Sequence, residues 1–155
     1  MMASTARQSR KTLRSDAQAI TETCAGWNSR LAARVISQYL DERLAKTGLS
    51  VARLGLMAQI AAASDDTLGG LAARSGVEQS TLSRNLRMLE KEGLVEIATV
   101  EADQRRRAVW LTEAGARKLE AAIPVWRKAH AKLSKRMPPE LARGLAEAAA
   151  ALARK

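Results

Sequence analysis

Apolar side chains recur along the first half of the chain at helical spacing. Over about residues 16–46 they return mostly every four or seven positions, with arginines between them, which is typical of one face of a helix. The dipeptide Thr47-Gly48 is expected to end this helix, because glycine favours the turn that closes a helix. Ser50 can then cap a second helix over about residues 51–63. Two successive helices are therefore predicted before residue 64.

The same spacing returns near the carboxyl end. A long helix is predicted over about residues 113–136, with Glu113 favourable at its positive end. Pro124 falls inside it and should bend or locally break it. The Pro138-Pro139 pair is predicted to separate it from a final helix that ends at about Ala153.

Between these helical regions lies a shorter pattern of two helices and a hairpin. Residues 67–76 are predicted to form a short helix closed by Gly76, and residues 78–93 a second helix that stops at Gly93. Residues 94–100 and 108–111 then flank a polar tip, residues 101–107, with three consecutive arginines. A helix pair with a tight glycine turn followed by a basic-tipped hairpin is the layout of a winged helix-turn-helix.

The predicted fold is mainly α with a small β-hairpin wing: a winged helix-turn-helix with long N- and C-terminal dimerisation helices. Four segments of one intertwined domain are expected. They are a flexible basic tail (1–15), an N-terminal dimerisation helix (16–50), a DNA-binding lobe (51–112) and C-terminal dimerisation helices (113–155). The long terminal helices carry apolar residues on more than one side. They either pack on each other within one chain or interlock in a homodimer, the arrangement that supplies the symmetry of a palindromic operator.

Composition supports this class. The 155 residues include 31 alanines and no phenylalanine, which favours helices. The one cysteine rules out an internal disulfide and fits a reducing cytoplasm. No apolar run approaches the roughly 20 residues that span a bilayer. A soluble cytoplasmic protein is therefore expected.

The net charge of +10 is unevenly placed. Residues 65–112 have seven basic and eight acidic residues, a net charge of −1, whereas residues 113–155 have ten and four, a net charge of +6. A general positive field would raise encounter rates with DNA. The case for DNA binding must still come from individual side chains.

Candidate DNA contacts lie on the second helix of the pair and on the wing. Leu82, Leu86 and Leu89 share one face and are expected to point inward. The outward residues that would meet base edges and phosphates are Ser80, Thr81, Ser83, Arg84 and Arg87. The wing residues that would enter the minor groove are Arg105, Arg106 and Arg107, with Asp103 placed to pair with an arginine and shape the tip. The alternative is a solvated amphipathic helix and a solvated loop.

Two stretches resemble the MarR family of bacterial transcriptional regulators. They are residues 82–95 and residues 103–115, and the second joins an Asp-x-Arg wing to the sequence Leu-Thr-Glu-Ala-Gly. The likeness covers roughly residues 24–135. It implies a dimer with entwined terminal helices and one winged lobe on each half-site. By this resemblance Arg84 would enter the major groove and Arg105 the minor groove.

Many members of that family release DNA when a small aromatic or phenolic ligand enters a crevice between the dimer helices and the winged lobe. The residues that would line such a crevice here are Trp27, Arg30, Tyr39 and Trp126. The alternative is that these aromatic residues are ordinary dimer core. Some relatives instead sense peroxides through one cysteine near the start of the first helix. Cys24 lies in that region, and its alternative is a buried, inert thiol.

Enzymes are excluded by the residue inventory, and no cofactor is expected. One histidine and one cysteine leave no Ser/His/Asp arrangement, and there is no glycine-rich phosphate loop. His130 has no second ligand beside it, so no metal site is predicted. The predicted function is a DNA-binding transcriptional regulator, a repressor on a pseudo-palindromic operator, associated with the nucleoid when bound. A winged-helix module that binds another protein is the alternative, and the near-neutral charge of residues 65–112 is its support.

Overall fold

The computed structural model describes the backbone of residues 2–100 and 103–153 and the side chains of residues 12–99 and 106–153. The residues up to Tyr39 form one compact unit, and those from Leu40 onward form a second. The elements in chain order are α1 (Met2–Thr23), α2 (Ala25–Leu44), a 3-10 turn (Ala45–Thr47), α3 (Val51–Ala62), α4 (Leu68–Ser75), α5 (Gln79–Lys91), β1 (Val95–Val100), β2 (Asp103–Leu111), α6 (Glu113–Ser134) and α7 (Pro139–Ala153). The predicted fold class, mainly α with a β-hairpin wing, is confirmed.

The N-terminal region differs from the expectation. A flexible tail over residues 1–15 was predicted, whereas the backbone of residues 2–15 belongs to α1, which begins at Met2. No proline or glycine occurs before Gly26, and residues 2–23 include four alanines and three arginines, which have high helix propensity. The absence of apolar periodicity in the first residues therefore did not prevent helix formation.

The single helix predicted over residues 16–46 is interrupted at Cys24. The Asn28 side-chain amide donates to the carbonyl oxygen of Cys24 at 3.0 Å and approaches that of Glu22 at 3.3 Å. At the Cys24 carbonyl, the amide adds a second hydrogen bond to the one that the Asn28 backbone N–H donates. The backbone nevertheless continues, because the Cys24 N–H donates to Ile20 and the Asn28 N–H to the Cys24 carbonyl, each at 3.0 Å.

The core of the second unit lies beneath the helix pair. Its largest fully buried side chains are Leu44 of α2, Met57 of α3, Leu71 of α4 and Leu89 of α5. The α6 helix adds Leu119 and Ala122 to the same cluster. Because four helices each contribute an inward side chain, burial of their apolar surface fixes the helix-turn-helix as one body.

The predicted helix limits around the turn are confirmed. The hydroxyl of Thr67 caps α4 by accepting the Gly70 N–H at 3.1 Å. Gly76 (φ 60°) ends α4 and Gly93 (φ 71°) follows α5, both in the left-handed region that glycine tolerates best. These two residues therefore mark the ends of the segment that contains α5.

The hairpin is attached to the segment that precedes α4. Its strands pair antiparallel from Val95↔Leu111 to Thr99↔Arg107, with an irregularity between Thr99 and Val100. Thr67 forms an isolated bridge with Ala108, and the Val109 N–H donates to the Asp66 carbonyl at 2.8 Å. Strand β2 of the wing is therefore hydrogen-bonded to the segment that begins the helix-turn-helix.

The α6 helix passes through Pro124 without interruption, so the local break predicted there does not occur. A proline within a helix leaves the carbonyl of the residue four positions earlier without its usual partner. That residue is Glu120, and both Glu120 and Pro124 are exposed. Water can therefore solvate the carbonyl, which lowers the energetic penalty of the proline.

Candidate nucleic-acid interface

The α5 helix has two opposite faces. Leu82, Leu86 and Leu89 are buried in the core. At about 100° per residue, the side opposite these leucines carries a continuous row of polar and cationic side chains. That row consists of Ser80, Ser83, Arg84, Arg87 and Lys91, and together with Met88 it lines a surface groove. Four of the five residues predicted to contact DNA from this helix therefore lie together, and the fifth, Thr81, is exposed beside them.

The two arginines of the groove are available to a ligand. Arg84 and Arg87 are exposed, and neither forms an ion pair with another side chain that the structure describes. Each guanidinium can therefore present parallel N–H donors to a phosphate or to a guanine edge. Glu78, at the N-cap of α5, makes no side-chain capping hydrogen bond. The first-turn N–H groups of α5 add positive potential to the same end.

The wing contributes further cations. Arg106 and Arg107 are exposed on β2. The Nη2 atom of Arg106 lies 3.7 Å from Oδ1 of Asp66, and both side chains are more than half exposed. Such a pair contributes little stability in water, so DNA phosphates can compete for Arg106. The backbones of Asp103 and Arg105 belong to β2, but their side chains lie outside the described residues, so their predicted contact stays a prediction.

A polar cluster fixes the start of α4. The Thr67 N–H donates to Oδ1 of Asp65 at 2.8 Å, and Nη2 of Arg74 donates to the Asp65 carbonyl at 3.1 Å. Hydrogen bonds from the Thr67 hydroxyl and backbone hold the pKa of Asp65 below its ordinary value of 3.8. A Cβ atom on Gly70 would collide with the Asp65 carboxylate. Glycine at position 70, unfavourable for a helix, therefore makes room for this cluster.

The structure adds positions that the sequence analysis did not select. Met88 and Lys91 complete the groove of α5, and their spacing from Arg84 and Arg87 could have revealed them. Asp66 meets Arg106 across the start of the wing. Arg53 forms an ion pair with Glu92 at the end of α5, over a separation of 39 residues. No local pattern in the sequence could have indicated this last contact.

Trp126 borders a cavity between α3 and α6. The cavity has a volume of about 530 Å³, which is within the range of small-molecule sites. Its walls are almost entirely apolar, and Arg127 is their one charged residue. The lining residues are Val51, Leu54, Gly55, Ala58, Ala61, Ala62, Leu119, Ile123, Trp126 and Arg127.

The other residues predicted to line a ligand crevice lie in the first unit. Trp27 and Arg30 border a surface cavity on α2 together with Leu31, Ala33 and Arg34. Tyr39 is half-buried and lines neither of these cavities. A ligand site built from Trp27, Arg30, Tyr39 and Trp126 therefore stays a prediction.

Cys24 is partly exposed at the interruption between α1 and α2. Its predicted role in peroxide sensing stays a prediction, and loss of DNA binding by a Cys24→Ser variant on peroxide treatment would rule it out. The ring of His130 packs on Trp126, with centroids 5.0 Å apart, and its Nδ1 lies 3.3 Å from the Ser134 hydroxyl. Among the side chains that the structure describes, no three His, Cys, Asp or Glu residues come together as metal ligands would. None of the helices within the described residues has the length and apolarity to cross a membrane.

Comparison with known proteins identifies the family. A family model described as the MarR family matches residues 47–106. The transcriptional regulator MosR from M. tuberculosis, in a crystal structure with DNA, is 34% identical, with a TM-score of 0.75 over 85% of this chain and 99% of that one. The chain belongs to the MarR family. This MarR-family chain is also similar to MosR in a second crystal structure, at 31% identity and a TM-score of 0.73 over 87% of this chain and 99% of that one.

A more distant match agrees in fold. The S. aureus MepR-DNA complex is 19% identical, with a TM-score of 0.66 over 83% of this chain and 95% of that one. A search of curated proteins gave no match. The MarR family consists of transcription regulators, and this membership agrees with the expectation that the chain is not an enzyme.

Proposed function

We propose that this MarR-family regulator binds double-stranded DNA through the groove face of α5 and the arginines of its wing. The single observation that carries the proposal is the row from Ser80 to Lys91, with Arg84 and Arg87 exposed and without ionic partners among the described side chains. A 13-residue helix with such a face suits the major groove. Arg105, Arg106 and Arg107 on β2 would reach the adjacent minor groove.

The regulator acts, in this proposal, as a homodimer that represses transcription from a pseudo-palindromic site in the bacterial cytoplasm. Large apolar side chains remain exposed on α1 and α2 at spacings of seven and four residues: Leu13, Ile20, Trp27, Leu31 and Val35. The α7 helix also exposes large apolar side chains at spacings of four and seven residues: Leu141, Leu145 and Leu152. A second copy of the chain would bury these rows, and its two-fold symmetry would present two winged lobes to two half-sites.

We further propose that a small aromatic effector occupies the cavity between α3 and α6. The size of the cavity, its apolar walls and the indole of Trp126 favour an aromatic ring, and Arg127 favours a phenolate or carboxylate substituent. Both helices that form the cavity also contact β2, and α3 contacts α4. A ligand that changes the spacing of α3 and α6 would therefore move the wing and α4, and so release DNA.

The experiment is a binding titration on a duplex selected by the wild-type protein from a random library. We expect the affinity to fall steeply with salt concentration, because each phosphate contact releases counterions. The Arg84→Ala/Arg105→Ala double variant should lose selective binding while keeping its far-UV circular dichroism. Unchanged binding by this variant would contradict the assignment of the site.

The same titration separates the alternative function. A winged-helix module for protein partners, favoured by the net charge of −1 over residues 65–112, would select no duplex and show no such dependence on salt. Its partner would have to be sought by other means. Selection of one sequence, with half-sites about one helical turn apart, would exclude that function.

A further inference from the structure

Arg53 and Glu92 join α3 to the end of the recognition helix α5. The Nη2 atom of Arg53 lies 2.5 Å from Oε2 of Glu92. The Arg53 side chain is only 11% exposed, whereas that of Glu92 is 40% exposed. The contact is therefore not an ordinary surface ion pair, because most of the guanidinium is withdrawn from water.

The buried position of the Arg53 guanidinium is stabilised by its bond to Glu92. The Nε atom of Arg53 is buried and has no hydrogen-bond partner within the described part of the chain. A largely buried cation without a carboxylate partner is strongly unfavourable. Glu92 is therefore the residue that stabilises the buried position of Arg53, and its loss would leave a largely buried guanidinium without a carboxylate partner.

The position of Glu92 connects the ion pair to the helix that carries the DNA groove. Glu92 is the C-cap of α5 and directly follows Lys91, which lines the DNA groove. The other face of α5 is held by the buried leucines, and apolar contacts have little directional preference. A short charge-assisted hydrogen bond does have a preferred direction. It can fix the rotation and tilt of α5, and with them the aim of Arg84 and Arg87.

We propose that Arg53 is a positioning residue for sequence-specific DNA recognition, which acts through Glu92 on the orientation of α5. The proposal rests on the DNA-binding function proposed above. It assigns a role in recognition to two residues that would not themselves touch a base.

Simple electrostatics and the proposed positioning role predict opposite effects on DNA affinity when Glu92 is removed. Glu92 adds a negative charge beside a groove that would face phosphates, so its removal should strengthen binding to any DNA by simple electrostatics. If Glu92 positions α5 through Arg53, its removal should instead weaken binding to the selected sequence. The sign of the change therefore distinguishes the two explanations.

The experiment compares Glu92→Gln with the matched control Glu90→Gln. Glu90 is exposed near the same end of α5, and no ion pair holds it among the described side chains, so both variants lose one negative charge. Each purified full-length variant is titrated with the duplex selected by the wild-type protein and with a duplex of unrelated sequence. Far-UV circular dichroism and urea unfolding establish that each variant is folded.

We expect Glu92→Gln to bind the selected duplex roughly tenfold more weakly, within the range for loss of one base contact. Its affinity for the unrelated duplex should stay equal or rise slightly, and Glu90→Gln should show no loss on either. Arg53→Met should repeat the selective loss, because it removes the other half of the pair. The proposal would be overturned if Glu92→Gln and Glu90→Gln had the same affinities for the two duplexes. It would also be overturned if Glu92→Gln lost affinity equally for the selected and the unrelated duplex. Absence of any selected duplex for the wild-type protein would overturn the proposed function and this inference together.

Discussion

The backbone of Gly115 lies directly against the carbonyl oxygen of Leu94. A Cβ atom at position 115 would overlap that oxygen. Thr112 secures the same junction, since its hydroxyl donates to the Gly93 carbonyl at 2.6 Å and accepts the Gly115 N–H at 3.0 Å. The sequence Leu-Thr-Glu-Ala-Gly therefore joins the end of α5, the first strand of the wing and the start of α6.

This contact predicts that Gly115→Ala is destabilising. The added methyl group must push the Leu94 backbone away, and overpacking of this kind has an unfavourable free energy of about 2–3 kcal/mol. Urea unfolding followed by circular dichroism measures the change. The matched control is Gly144→Ala on α7, where nothing lies within 4 Å of the new methyl group. It should stabilise the protein by about 0.5–1 kcal/mol. If the two substitutions shift the midpoint equally, the close approach of Gly115 to Leu94 is not present.

Asp65 predicts a dependence of stability on pH. The Thr67 hydrogen bonds hold the pKa of folded Asp65 below 3.8, so the folded state prefers the carboxylate more than the unfolded state does. The resulting stability is fully present above pH values near 3.8 and is lost as the pH falls through the lower pKa of the folded protein. Asparagine can still accept the Thr67 N–H, so Asp65→Asn removes the charge and keeps one acceptor.

The measurement is urea unfolding of the wild-type protein and Asp65→Asn over roughly pH 2–6. At the upper end of this range the wild-type protein should have a larger free energy of unfolding than Asp65→Asn. The difference between the two proteins should shrink as the pH falls. A difference that stays constant with pH would show that the carboxylate is not preferentially ionised in the folded state.

The exposed apolar row on α1 and α2 predicts which face forms the dimer. Leu31 is 45% exposed within this row, whereas Ala32 is exposed about 100° further around α2. Leu31→Glu would place a charge in an interface between two copies, so sedimentation should show a monomer at micromolar concentration. Ala32→Glu adds the same charge beside the row and should remain dimeric. A wild-type protein that sediments as a monomer would contradict the proposed assembly.

The parts of the fold that follow from local signals could be predicted. The repeat of Leu82, Leu86 and Leu89 indicated the buried face of α5, and the left-handed glycines at positions 76 and 93 indicated where the helices end. Each signal is a property of a short segment, because periodicity and backbone freedom depend on neighbouring residues. The exposed positions of α5 followed from the same periodicity.

The parts that depend on distant residues could not be predicted. The pair of Arg53 and Glu92 spans 39 residues, and the contact of Gly115 with Leu94 joins residues on either side of the whole hairpin. The interruption at Cys24 is a local feature that was also missed: the side-chain amide of Asn28 donates to the Cys24 carbonyl there, the kind of side-chain bond to the backbone that competes with a regular helix. Pro124 was expected to bend or locally break α6, but the helix continues through it, and the exposed side of the helix lets water solvate the carbonyl that the proline leaves unpaired.

The central claim is that α5 enters a major groove while the wing enters the adjacent minor groove. Methylation of bound DNA by dimethyl sulfate tests it, because the reagent reports guanine N7 in the major groove and adenine N3 in the minor groove. We expect protection of guanine N7 within each half-site and of adenine N3 beside it. In Arg84→Ala the N7 protection should be lost while the N3 protection remains; Arg143→Ala, which removes the same charge from α7, should retain both. Absence of N7 protection by the wild-type protein, or protection that survives Arg84→Ala unchanged, would contradict the account.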